Sequence, residues 1–206
     1  VSGDEATIAF YQREAPHYTA SGAQAQSRHL DAFLDRLDAG ARILELGCGG
    51  GRDAAHMASR GFSVDPTDGT PAMVRKARER WGLPARLMRF DELEAIGEYD
   101  AVWAHASLLH CPRDALPSVL GRIHRALTPG GWHFANFKLG AGEDRDTFGR
   151  LYNFPDREWL RARYEDIAGW QIVEASEYLG GGFDNIARDW LALTVRRDNA
   201  QKVLPT

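Results

Sequence analysis

Gly47-Cys48-Gly49-Gly50-Gly51 follows the apolar stretch Ile43-Leu44-Glu45-Leu46 and precedes the helix-like pattern of residues 53–60. Main chain without Cβ atoms can come close to a ligand there. A strand feeding a glycine loop feeding a helix is a nucleotide-site architecture. The spacing is G-x-G-x-G, whereas the dinucleotide fingerprint needs glycine where Arg52 stands, so this is a poor pyrophosphate loop. A second strand pattern ends in Asp65 and Asp68, where an acid can accept from both hydroxyls of a ribose. His105 and His110 are the candidate bases. His110 lies just before a helix opened by Pro112, whose positive end favours a neutral imidazole able to take a proton. Cys48 and Cys111 form no C-x-x-C pair, so no metal site is expected, and no hydrolase triad stands at a recognisable spacing.

These groups need elements that carry them to one edge. Residues 4–20 read as a helix capped by Asp4 and ending near Pro16; its Phe10, Tyr11 and Tyr18 matter chemically only if it folds over the glycine loop. Residues 24–37 give a second helix with Leu30, Phe33, Leu34 and Leu37 on one stripe. The pattern then predicts strands at 43–46, 61–69, 85–90, 99–104 and 132–137, with helices at 53–60, 71–81 and 112–127. Pro66 predicts a bulge or an edge position. This alternation implies a parallel sheet wrapped by helices through right-handed crossovers. Residues 138–153 have no period and read as an active-site loop or a solvated insertion. A helix at 156–167, a strand at 170–176, the loop Gly180-Gly181-Gly182 and a strand at 186–195 follow. Two strands with no helix between them are antiparallel.

With 206 residues and 44% hydrophobic content, one domain over 1–206 can bury a full core. No run of about 18 apolar residues is present, and the N-terminus lacks the basic-then-apolar pattern of a secretory signal, so no membrane association and a cytoplasmic location are expected. A net charge of −4 disfavours nucleic acid, and Arg75-Lys76-Ala77-Arg78 reads as a solvated helix face.

From about residue 7 to residue 196 the chain resembles the class I S-adenosylmethionine-dependent methyltransferases. The resemblance rests on the loop Glu45 to Gly51, on Asp68-Gly69-Thr70-Pro71-Ala72-Met73, and on the turn Leu127-Thr128-Pro129-Gly130-Gly131. Within that class, Ala104-His105-Ala106-Ser107-Leu108-Leu109-His110-Cys111-Pro112 and Phe134-Ala135-Asn136-Phe137-Lys138 are similar to the tellurite-resistance-type, small-molecule subgroup. The resemblance implies a Rossmann-like α/β fold with a seven-stranded, mostly parallel sheet, an antiparallel last strand and helices on both faces. It divides the chain into a helical cap (1–40), a cofactor-binding half (41–137) and a substrate-side half (138–196). S-adenosyl-L-methionine is the implied cofactor and S-adenosyl-L-homocysteine its product.

The residue roles follow from the same resemblance. Gly47, Cys48, Gly49 and Gly51 hold the methionine part of the cofactor, and Glu45 orients the loop or accepts from the ammonium. Arg52 pairs with the cofactor carboxylate or forms a surface salt bridge. Asp68 takes the ribose, preferred to Asp65 because Met73 lies five residues on. Gly69 and Met73 flank the adenine, and Thr70 serves there or as a helix cap. Arg89 stands where many relatives carry an aspartate, leaving the backbone of Phe90, or Asp91, to meet the adenine amino group. Ala104 and Leu109 line the cofactor, Tyr11 and Tyr18 cover it, and Lys138 attracts an anion or is solvated. Methyl transfer from a sulfonium is an in-line displacement needing alignment and water exclusion more than a strong acid. The expected acceptor is a small molecule, tellurite or another chalcogen oxyanion among the candidates, and the expected assembly a monomer or homodimer. A nicotinamide-dependent oxidoreductase, disfavoured by Arg52, and a non-catalytic cofactor-binding regulator are the alternatives.

Overall fold

Residues 3–20, 26–183 and 186–199 are described by a computed structural model. The strands Arg42–Leu46 (β1), Ser63–Asp68 (β2), Arg86–Leu87 (β3), Tyr99–Ala104 (β4) and Leu127–Lys138 (β5) form parallel neighbours. A hairpin, Gly142–Arg145 (β6) and Leu151–Phe154 (β7), stands apart from them. Trp170–Gly180 (β8) and Arg188–Arg197 (β9) pair antiparallel, and β9 also pairs antiparallel with β5. The main sheet therefore has seven strands in the order β3-β2-β1-β4-β5-β9-β8, and β9, the last in the chain, runs against the rest.

The helices are Glu5–Ala20 (α1), Leu30–Leu34 (α2), Arg52–Ser59 (α3), Pro71–Trp81 (α4), Leu116–Ala126 (α5) and Arg157–Glu165 (α6). Period-two burial decides which face each covers. Ile43, Ala101, Trp103 and Phe134 pack with α2 and Met57 of α3, while Leu44, Val102 and Ala135 pack with α5 and α6. The carboxyl ends of β1, β2, β4 and β5 thus arrive at one edge, where ligands bind in open parallel sheets.

α1 roofs that edge. Its cap is Asp4, which accepts from the Thr7 N–H at 2.8 Å, and Arg145 of β6 donates to Asp4 at 2.7 and 3.0 Å, so the cap also ties α1 to the hairpin. The Arg145 guanidinium holds the Asp4 carboxyl well below the usual carboxylate range. Thr7 Oγ1 accepts from the Leu151 N–H at 2.8 Å, and Ala15 packs on Ala72 and Met73 of α4.

Several boundaries differ from the pattern reading. Pro16 does not end α1, which continues to Ala20 with Thr19 donating to the Ala15 carbonyl. The helix expected over 24–37 is one turn, Leu30–Leu34, and residues 24 and 25 lie outside the described ones. The strand expected over 85–90 shrinks to Arg86–Leu87 because residues 90–92 turn as a short 3₁₀ segment. Residues 138–153 contain the β6–β7 hairpin, which period alone could not show because its outer strand is charged. Pro66 does sit at an edge: β3 reaches only Thr67 and Asp68, so the proline's missing N–H leaves no ladder bond unmade there. No helix among the described residues is long and apolar enough to cross a membrane.

Candidate active site

The glycine loop is shaped by close approach. Gly47 has φ +80°, and a Cβ on it would sit 2.4 Å from the Ser107 Cβ. Gly51, φ +79°, starts α3 and lies against Ala77 of α4, so it serves packing and is not among the cavity-lining residues. Asp68 fixes the loop from below: its carboxylate accepts from the Gly49 N–H at 2.9 Å and the Thr70 N–H at 2.8 Å. Burial pushes its carboxyl up, against those hydrogen bonds.

Glu45 is 4% exposed, and its Oε2 has no hydrogen-bond partner among the described residues. Burial, then the nearby Asp53 and Asp68, push its carboxyl well above 4.5. A buried acceptor left open toward a cavity suits a cationic ligand group. Arg52 donates to Asp53 at 3.2 Å and to Ser27 Oγ at 3.0 Å. Asp53 also accepts from the Ser27 N–H and from the Trp103 indole. Burial opposes its ionisation, and His105, Arg52 and Ser27 outweigh that and hold its carboxyl low. Ser27 Oγ meets His105 Nδ1 at 3.1 Å, and burial pulls His105 down to about 4. This network pins the segment before α2 beside the loop, a job for Asp53 and Ser27 that no spacing signals.

His110 is placed by a different chain of contacts. Its Nδ1 meets the Leu151 carbonyl at 2.6 Å; a carbonyl only accepts, so Nδ1 carries the proton and Nε2 is the acceptor. The Tyr11 hydroxyl therefore donates to Nε2 at 2.9 Å and itself accepts from Arg150 Nη1 at 3.0 Å. Burial pulls His110 down to about 4, leaving it neutral at pH 7. Arg150 is anchored by Asp146, which accepts from Nε and Nη2 at 2.8 and 2.6 Å. Ala106, just past β4, has φ +50°, a strained angle for alanine, and its N–H donates to Asn136 Oδ1 at 2.6 Å.

Two adjoining cavities result. The first, about 110 Å³, is lined by Gly69, Thr70, Met73, Phe90 and Asp68 and roofed by α1. The second, about 430 Å³, holds Glu45, Cys48, Arg52, His105 and Leu109, with Asn136, Lys138, Arg150 and Tyr152 on its far side. Tyr11, Tyr18, Gly47, Gly49, Ala106 and His110 border both. Arg89 lines the first cavity and pairs with Glu5 at 3.0 Å, while Asp91 lines neither. Ala104 is in the core and lines neither. Sequence reasoning missed Ser27, Arg150 and Trp190, which come from segments without a motif. Among the described residues no group of His, Cys, Asp or Glu is arranged to hold a metal ion.

Residues 43–131 match the family model described as a methyltransferase domain. The malonyl-[acyl-carrier protein] O-methyltransferase of Enterobacter lignolyticus is 31% identical over 133 residues, covering 62% of this chain and 51% of that protein. The chain spans about half the length of the curated relatives it matches. Among solved structures, the 1,6-didemethyltoxoflavin-N1-methyltransferase of Burkholderia thailandensis, bound to S-adenosylhomocysteine, superposes with a TM-score of 0.70 at 22% identity, over 93% of this chain and 86% of that one. TehB from Haemophilus influenzae superposes at 0.69 with 16% identity, over 90% of this chain and 67% of that one, a likeness of fold alone. The match of residues 43–131 to a methyltransferase domain, the seven-stranded sheet and the glycine loop at the end of β1 together give this chain the fold of solved S-adenosylmethionine-dependent methyltransferases.

Proposed function

We propose that the chain transfers the methyl group of S-adenosylmethionine to a small acceptor held in the larger cavity. The observation that carries this reading is the pairing of the open acceptor on Glu45 with the Asp68 carboxylate across the glycine loop. Glu45 would take the ammonium, Asp68 the ribose hydroxyls, and Met73, Gly69 and Phe90 the adenine. The cofactor supplies an activated methyl on sulfonium sulfur; the protein supplies alignment under the α1 roof and exclusion of water. Where the acceptor arrives protonated, Tyr11 takes that proton on its hydroxyl oxygen as it passes its own to His110 Nε2, while Arg150 Nη1 holds the Tyr11 oxygen in place. The similarity of the motif around His110 to the tellurite-resistance-type subgroup supports chalcogen oxyanions as acceptor candidates beside small organic ones.

Isothermal titration with S-adenosylmethionine tests the cofactor. Wild type is expected to bind, and Asp68→Ala to bind about 100-fold more weakly, since hydrogen bonds to a charged group contribute about 1.5–3 kcal/mol each. Equal affinity in the two proteins removes the ribose assignment.

Glu45 makes a second prediction. Its folded pKa is raised, so the free protein holds a proton there that the unfolded chain releases, and Glu45 lowers stability as pH rises above 4.5 toward the folded value. Glu45→Gln should therefore raise Tm near neutral pH and leave it unchanged at pH 4, while weakening cofactor binding. In wild type, binding should release a proton, read as a dependence of the titration heat on buffer ionisation enthalpy. A buffer-independent heat in the weakly acidic range would remove Glu45 as the ammonium's partner.

A further inference from the structure

Two uncharged donors at the β8–β9 end of the larger cavity have no acceptor among the described residues. The first follows from the contacts of Ala106. A backbone N–H only donates, so the Asn136 atom 2.6 Å from the Ala106 nitrogen is the amide oxygen, and the amide nitrogen faces the Tyr178 hydroxyl at 2.8 Å. That nitrogen donates in turn, so the Tyr178 oxygen accepts and its own proton is uncommitted. His29 packs on the Tyr178 ring at 5.0 Å, but its Nε2 has no partner and does not take the proton. The second donor is the Trp190 indole N–H: the residue is 5% exposed, and the nitrogen meets no acceptor among the described residues. Both side chains line the larger cavity.

A glycine leaves room beside them. Tyr178 of β8 pairs with Trp190 of β9, which puts both on one face, and their rings stack 6.0 Å apart with 14° between planes. Gly180, two residues on, faces the same way. A Cβ there would stand 3.0 Å from the Trp190 indole nitrogen and 3.1 Å from Tyr178 Cε2, filling the notch between the two rings. Gly180 is not in the left-handed region, so its backbone does not call for glycine; the missing side chain serves the space. A buried donor without an acceptor is rare and costly, and a ligand oxygen at this notch would meet it.

We propose that Tyr178 and Trp190 form a donor subsite, seated at the Gly180 notch, for a carbonyl oxygen of an organic methyl acceptor. Uncharged donors recognise an oxygen lone pair without asking the ligand for a charge, and amide and carboxylate groups both present that oxygen. The ring surfaces that carry the donors suit a planar organic group. Asn136 is a positioning residue, which turns the Tyr178 proton outward by occupying its oxygen. The subsite's purpose rests on the methyltransferase reading; its construction rests on protein groups alone. The gripped oxygen is the handle, and the methylated atom is another one.

The test follows the Trp190 indole N–H by proton–nitrogen NMR in the whole chain, its resonance identified as the one missing from Trp190→Phe. Benzamide, sodium benzoate and toluene are titrated with and without saturating S-adenosylhomocysteine. The first two separate a neutral from an anionic carbonyl source, and toluene carries the ring without the oxygen. At least one carbonyl probe is expected to move the resonance downfield to saturation and to bind about tenfold more tightly than toluene. Tyr178→Phe keeps the ring, removes the hydroxyl, and should weaken that probe about fivefold. Gly180→Ala fills the notch and should abolish the shift. Lys76→Met, on the exposed face of α4 and outside both cavities, should change nothing. The proposal is overturned if neither carbonyl probe outbinds toluene, if the Trp190 resonance stays in place at saturation, or if Tyr178→Phe binds the probe as tightly as wild type. Failure of the separate S-adenosylmethionine titration would instead remove the methyltransferase reading, and the indole resonance would still decide the subsite.

Discussion

Gly47→Ala is expected to lower stability by about 2–5 kcal/mol and to remove most cofactor affinity. Two costs add. Alanine at φ +80° carries the left-handed penalty of about 1–2 kcal/mol. Its Cβ would also meet the Ser107 Cβ at 2.4 Å, and overpacking of that kind costs about 1–3 kcal/mol. Against a typical total of about 5–15 kcal/mol the loss is large, and at about 2–4 °C per kcal/mol for a chain of this size it lowers Tm by roughly 10 °C. Gly40 separates the two costs: its φ is +76°, but nothing lies within 4 Å of the added Cβ. Gly40→Ala should show only the conformational part and leave cofactor binding intact. Equal melting points for the two variants would mean that the Ser107 contact contributes nothing.

Arg150→Met should lower stability by about 3–5 kcal/mol, the cost of leaving one partner of a buried ion pair uncompensated. Arg150 is 1% exposed and the Asp146 side chain 8%, so water cannot take the guanidinium's place. The substitution also frees the Tyr11 hydroxyl from its donor and loosens the link between α1 and the β6–β7 hairpin. Adding Asp146→Asn removes the stranded charge and should recover part of the loss, which a double-mutant cycle in urea would measure. Arg145→Met is the comparison. Its partner Asp4 is bonded equally well, but the Arg145 side chain is 47% exposed, and an exposed pair contributes about 1 kcal/mol or less. If Arg150→Met melts no lower than Arg145→Met, the burial argument fails.

The elements legible from pattern are those whose local signal agrees with their final environment. β1 and β4 read as strands because their buried runs are continuous, and α4 reads from Thr70-Pro71 at its start to the left-handed Gly82 at its end. The β6–β7 hairpin was illegible because its pairing is held by contacts to α1, through Asp4–Arg145 and Thr7–Leu151, more than 140 residues away in sequence. α2 was overestimated because its apolar stripe continues past Leu34, while the chain turns at Asp35 to reach β1.

The sequence by itself determined the glycine loop, the acid at the end of β2 and the alternation that makes a parallel sheet, because each depends on backbone geometry or spacing within a few tens of residues. Only the tertiary structure decided that α1 folds over the loop, that His110 meets the cavity through Tyr11, and that Lys138 and Arg150 are buried beside Tyr152. Those facts depend on side chains from five separate elements converging at one sheet edge. The charge a buried group carries, and what it asks of a ligand, is set by neighbours that no local pattern names.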